Sequence, residues 1–147
     1  MNILILLGCP EPPLLIPSFM FLLNLLKSKG HQVYVAGNPS ALKLIESADP
    51  EHHYLKGVGF QPIDNGLKDK FDVDYIFGLT HNDAGINYIV TYKMVYNKET
   101  SALIFGTGEL GGLTQILDEN GIENKSIRAF HNPTPINVML KRIFKEF

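Results

Sequence analysis

A chain of 147 residues, with 13 basic and 15 acidic side chains and a formal charge of −2, has the length of one domain with its own core. It has no electrostatic footprint for a polyanion, so nucleic acid is not an expected partner. One cysteine cannot form an internal disulfide and fits a reducing compartment, which makes the cytoplasm the expected location.

Asn2 to Leu7 is charge-free and closed by Gly8, the pattern of a strand buried on both faces. Leu6-Leu7-Gly8-Cys9 has the form of a lipoprotein cleavage box. However, no Lys or Arg precedes it, and the apolar run Ile3 to Leu7 is shorter than the roughly seven residues of a signal core. Pro10, Pro12, Pro13 and Pro17 then interrupt the chain well before it reaches the ~20 residues a membrane helix needs. Export and membrane insertion are therefore not expected.

Pro17 to Lys29 reads as a helix stopped by Gly30, with Phe19 to Leu23 apolar all round, so it is deeply packed or meets another subunit. Gln32 to Ala36 is a second strand, and Gly37-Asn38-Pro39-Ser40 turns into a helix from Ala41 to about Ser47. Between Asp49 and Asp72 the pattern is weak, with His53 to Phe60 a candidate strand and Asp64-Asn65-Gly66 a turn. His52 and His53 are adjacent, so in a strand they would face opposite ways and could not share an ion; a solvated segment is expected. Asp74 to Leu79 is the next strand, followed by a helix over about Ala84 to Tyr96. Ser101 to Phe105 is a strand leading into a glycine-rich turn and a helix over Gly112 to Asn120. Lys125 to Phe130 is the last strand and Pro135 to Lys145 the last helix, with Thr134 as N-cap.

Strands alternating with helices predict a three-layer α/β/α sandwich around a mainly parallel, Rossmann-like sheet of five or six strands. Ligands in such sheets bind beyond the carboxyl ends of the strands. Four loops fall there: 8–12, 81–83, 106–112 and 131–133. Cys9 comes after the first strand, where a thiol can act as nucleophile or metal ligand, or simply fill space. His81-Asn82-Asp83 and His131-Asn132-Pro133 each precede a helix. Their histidines can serve as general bases or ligands, and their asparagines can orient them or cap the helices. Cys9, His81 and His131 are thus the candidate catalytic set, and alternatively a Cys-His-His metal site, although their scattered spacing is unlike a metal motif.

Gly106-Thr107-Gly108-Glu109-Leu110-Gly111 spells G-x-G-x-x-G after a strand and before a helix, so its amides could cradle an anion or a polar group. It is not in the first strand-to-helix turn, and no acid stands at the distance a dinucleotide fingerprint requires. Gly8, Asn38, Asn82, Asp83, Gly106, Thr107, Gly108, Gly111 and Asn132 are the candidate binding residues, with no particular cofactor implied. Tyr88, Tyr92 and Tyr96 recur every four residues, a stripe that could stack on a flat ligand but is more expected of a core edge or dimer face with wet hydroxyls.

The segments Asn2 to Pro13, Val35-Ala-Gly-Asn-Pro39, His81-Asn-Asp-Ala-Gly85 and His131-Asn-Pro133 resemble a small uncharacterised family of Rossmann-like proteins from methanogenic archaea. The resemblance spans nearly the whole chain. It implies a cytoplasmic three-layer α/β/α sandwich and no established activity. The leading expectation is a homo-oligomeric protein that binds a small polar or anionic ligand of nucleotide or coenzyme type. The alternatives are a thiol- or metal-dependent enzyme using Cys9, His81 and His131, and a subunit of a larger assembly.

Overall fold

A computed structural model describes residues 1–8, 15–129 and 131–147. Its elements run β1 (Asn2–Leu7), α1 (Leu15–Ser28), β2 (Gln32–Gly37), α2 (Pro39–Ala48), β3 (Gly59–Pro62), α3 (Asn65–Lys68), β4 (Tyr75–Thr80), α4 (Asp83–Tyr96), β5 (Glu99–Gly106), α5 (Gly111–Glu119), β6 (Glu123–Arg128) and α6 (Thr134–Ile143). The six strands form one sheet in the order β3-β2-β1-β4-β5-β6, with every neighbouring pair parallel. This is the doubly wound order of nucleotide-binding α/β sheets, and its direction of winding reverses between β1 and β4.

The two faces carry separate cores. Ile3, Ile5 and Leu7 point to one side, with Phe19, Leu22 and Leu26 of α1, Ala41 and Ile45 of α2, and Leu140 of α6. Leu4 and Leu6 point to the other, with Ile86 and Ile89 of α4 and Leu113 and Leu117 of α5. This alternation explains why β1 carries no charge, since both faces of its pleat are sealed. The apolar α1 is buried by its own chain, Phe19, Leu22, Leu23 and Leu26 having no exposed surface. No helix among the described residues is long and apolar enough to cross a membrane.

The poorly patterned middle differs most from expectation. Residues 50–57 form turns, and the strand begins only at Gly59. The Asp49 carboxylate accepts hydrogen bonds from the backbone N–H groups of His53, Tyr54 and Leu55, each at 2.9 Å. His52 and Gly57 take left-handed backbone conformations (φ 54° and 79°). A side chain thus supplies the acceptors a strand partner would have offered. His52 and His53 are exposed, as expected of a solvated segment. Asp64-Asn65-Gly66 leads into the short α3 rather than a simple turn. β6 begins and ends two residues earlier than the pattern implied, and Phe130 lies outside the described residues. Thr134 is the first residue of α6 and not its cap. Pro133 holds the cap position, and Asn132 Oδ1 accepts from Thr134 N at 3.0 Å.

Burial pushes the Asp49 carboxyl up, but the three amides outweigh it and hold the acid below its ordinary value. A lowered folded-state pKa contributes stability that is present above the unfolded value, near 3.9, and is lost as pH falls through the folded one. Asp49→Asn should therefore flatten the acid limb of the unfolding-midpoint profile below about pH 4. An unchanged acid limb in thermal melts from pH 2 to 7 would show that the three amides do not read the charge.

Candidate functional site

The loops singled out in the sequence leave different strands at the carboxyl edge of the sheet, and of the loop over 8–12 only Gly8 is among the described residues. In strand order they come after β2 (Asn38), β1 (Gly8), β4 (His81 to Asp83), β5 (Gly106 to Gly111) and β6 (His131, Asn132). With neighbouring strands about 4.8 Å apart, His81 and His131 leave strands separated by about 10 Å, and Asn38 leaves one about 14 Å from β5. Cys9 lies outside the described residues. Among the described residues, no three His, Cys, Asp or Glu side chains gather as a metal ion requires.

The three asparagines build the loops. Asn38 Oδ1 accepts from Ser40 N and Asn82 Oδ1 from Gly85 N, both at 2.9 Å, and Asn132 plays the same part at the start of α6. Each satisfies one of the amides that the first turn of a helix leaves without a carbonyl. Asp83 sits exposed in the first turn of α4, where its charge complements the helix dipole. His81 is half-buried with its ring 5.6 Å from that of Phe105, whereas His131 is exposed.

The structural centre of this edge is a contact the sequence did not reveal. α4 approaches the ends of β1 and β4 so closely that a Cβ on Gly85 would stand 1.7 Å from Thr80 Oγ1, and one on Gly8 would stand 3.4 Å from Gly85 Cα. The helix N-terminus therefore lies directly over the place where the winding reverses. Beside it a cleft of about 80 Å³ opens between Gly8, Asn38, Asp64, Gly85 and Tyr88. That volume takes a functional group and not a whole ligand, since small-molecule sites run to roughly 300–1,000 Å³. Tyr88 Oη donates to Asp64 Oδ1 at 2.7 Å, so the carboxylate is oriented at the cleft wall.

Across the crevice, Thr107, Gly108 and Gly111 are exposed at the end of β5, ahead of an α5 whose N-cap, Leu110, supplies no side-chain oxygen. Gly106 adopts φ 144°, which a residue with a Cβ rarely takes. Arg128 at the end of β6 reaches Glu109 Oε1 at 3.4 Å, both side chains well exposed, and brings a positive charge beside the loop.

Residues 4–143 match the family model of a domain of unknown function, DUF1890. The chain belongs to this family. It is 48% identical over 143 residues, 97% of both chains, to the uncharacterized protein MJ0452 of Methanocaldococcus jannaschii. The solved structure of MT0777 is similar with a TM-score of 0.90 and 35% identity, covering 99% of this chain and 97% of that one. The family, its methanogen relative and the Rossmann-like arrangement agree with what the sequence resemblance implied.

Sequence reasoning missed Thr80, Asp64 and Arg128 at this edge, and singled out Tyr88 only as part of a tyrosine stripe. Gly85 carried the one available signal, because a glycine three residues into a helix costs about 1 kcal/mol against alanine and so marks a close approach.

Proposed function

We propose that the protein binds a small polar ligand with an anionic group, of nucleotide or coenzyme-fragment type, across the crevice between β1 and β4. The observation that carries this reading is the cleft at Gly8, Asn38, Asp64 and Gly85, placed where the strand order reverses. Its polarity divides the ligand. Asp64, held by Tyr88, is suited to accept from hydroxyl or amino groups and unsuited to a phosphate. The anionic group belongs across the crevice, at the exposed residues Thr107 and Gly108 before α5, where it would compete with Glu109 for Arg128. The span of about 10–14 Å from Gly8 and Asn38, at the ends of β1 and β2, to the loop after β5 is one that a nucleoside phosphate bridges and a single phosphate ion does not.

The test is thermal denaturation and calorimetric titration with adenosine 5′-monophosphate, adenosine and inorganic phosphate. The monophosphate should stabilise most, by about 2.7 kcal/mol at a hundred times its Kd. Asp64→Asn and Arg128→Gln should each weaken it by about tenfold, the loss of one charge-assisted hydrogen bond. Equal responses to phosphate and monophosphate would remove the cleft from the site. No response to any of the three would overturn the reading for adenine nucleotides and move the search to other coenzyme fragments.

A further inference from the structure

A second cavity, of about 440 Å³, lies at the opposite end of the sheet, beneath the last turn of α6. Its size is that of a small-molecule site. Its floor is the α6-facing side of β4, β5 and β6 near their starts. The register sets Tyr75 beside Glu99, Ser101 beside Glu123, and Leu103 beside Lys125. Elsewhere on this face the inward positions are apolar: Phe77, Leu79, Leu103 and Phe105 are at most 1% exposed. Tyr75 and Ser101 thus put two hydroxyls at buried positions of this face, and the exposed Glu99, Glu123, Lys125 and Arg142 rim them.

Three features of that corner select the chemistry of an occupant. Tyr75 and Ser101, each 6% exposed, are hydrogen-bonded to one another. Two hydroxyls sharing one bond leave an O–H donor uncommitted, and neither makes another hydrogen bond to a described residue. Burial and the neighbouring carboxylates of Glu99 and Glu123 raise the Tyr75 phenol above its ordinary value, against a smaller lowering by Ser101, so the donor is kept. Glu99, Glu123, Lys125 and Arg142 border the cavity, and among the described residues none of them forms an ion pair. Met139, Ile143 and Phe147 supply an apolar wall, with the Phe147 ring edge-on to Tyr75 at 4.8 Å between centroids.

We propose that this cavity binds a small zwitterion with an apolar body, of the apolar α-amino acid type. The ammonium group faces Glu99 and Glu123, and the carboxylate faces Lys125 and Arg142. The body lies against Met139, Ile143 and Phe147. A simple anion would meet two carboxylates and a simple cation two positive charges, so only a ligand carrying both signs answers the lining.

Isothermal titration with leucine, methionine and phenylalanine tests this, with 3-phenylpropanoate and 2-phenylethylamine as the analogues that lack one charge each. At least one amino acid should bind tighter than about 1 mM, and for phenylalanine, removing either ionic group should weaken binding by at least about tenfold. Glu123→Gln and Lys125→Met, both at exposed positions that should leave the melting midpoint unchanged, should each weaken the bound amino acid by at least about fivefold. Binding by none of the three up to about 10 mM, equal binding of a singly charged analogue, or unaltered binding in both variants would overturn the proposal. Adenosine monophosphate binding at the other edge would be unaffected by any of these results.

Discussion

Gly85→Ala should destabilise the protein by about 2 kcal/mol, where the same change at an ordinary helix position would stabilise it by up to about 1 kcal/mol. The new methyl would stand 1.7 Å from Thr80 Oγ1 and 2.7 Å from Thr80 Cβ. Rotating the threonine moves the first contact but not the second. Thr80 is 1% exposed at the end of β4, so it has nowhere to retreat without displacing the helix. The physical cause is therefore overlap between the new methyl and the Thr80 side chain, and a double-mutant cycle isolates it. In a Thr80→Gly background, which removes both atoms, Gly85→Ala should cost nothing or become favourable. Denaturant unfolding of the four proteins is the measurement. A neutral or stabilising Gly85→Ala in the wild-type background would show that α4 does not press on β4 at this point. Because Gly85 also forms part of the cleft wall, the single variant should weaken adenosine monophosphate binding, and Thr80→Gly should restore part of it if α4 returns to its place.

Legibility in the sequence depends on which signals are local. β1 and β4 were legible because burial on both faces demands an unbroken apolar run, and a run is visible in one pass along the chain. The helix start at Asn82 was legible because a capping asparagine acts on an amide only three residues away. Strand order was not legible, since nothing in β3 or β5 states which neighbour each pairs with. The spread of about 14 Å from Asn38 to the β5 loop arises because β1 and β4 stand between them. The 50–57 segment misled because a carboxylate 4–6 residues upstream satisfied its amides, an alternative to pairing that hydrophobic pattern does not register.

The tyrosine series provides the second large effect and corrects an expectation. Spacing at positions 88, 92 and 96 suggested hydroxyls left in water, yet each is bonded to the segment linking β3 to β4. Tyr92 donates to Ile63 O at 2.5 Å and Tyr96 to Gly66 O at 2.7 Å, while Tyr96 Oη also accepts from Phe71 N at 3.3 Å. Tyr88 holds Asp64 from the exposed end of the row. The stripe clamps residues 63–71 onto α4, and the two inner rings stack at 5.3 Å. Tyr92 has no exposed surface, so Tyr92→Phe leaves the Ile63 carbonyl without its hydroxyl donor and should cost about 1–3 kcal/mol. Tyr96→Phe should cost about 1 kcal/mol, and Tyr88→Phe, at the wet end, less than about 0.5 kcal/mol. Alkaline pH gives an independent reading of the same burial. Burial, reinforced by Tyr96, Asp64 and Tyr88, holds the Tyr92 phenol far above its ordinary value. A raised folded-state pKa contributes stability that is fully present below the unfolded value, near 10, and is lost as pH rises toward the folded one. Thermal melts between pH 8 and 11 should therefore fall less steeply in Tyr92→Phe than in the wild type. A cost that ranks Tyr88 above Tyr92, or an alkaline limb identical in both proteins, would place the clamp's strength at its exposed end and detach Asp64 from the buried row that positions it.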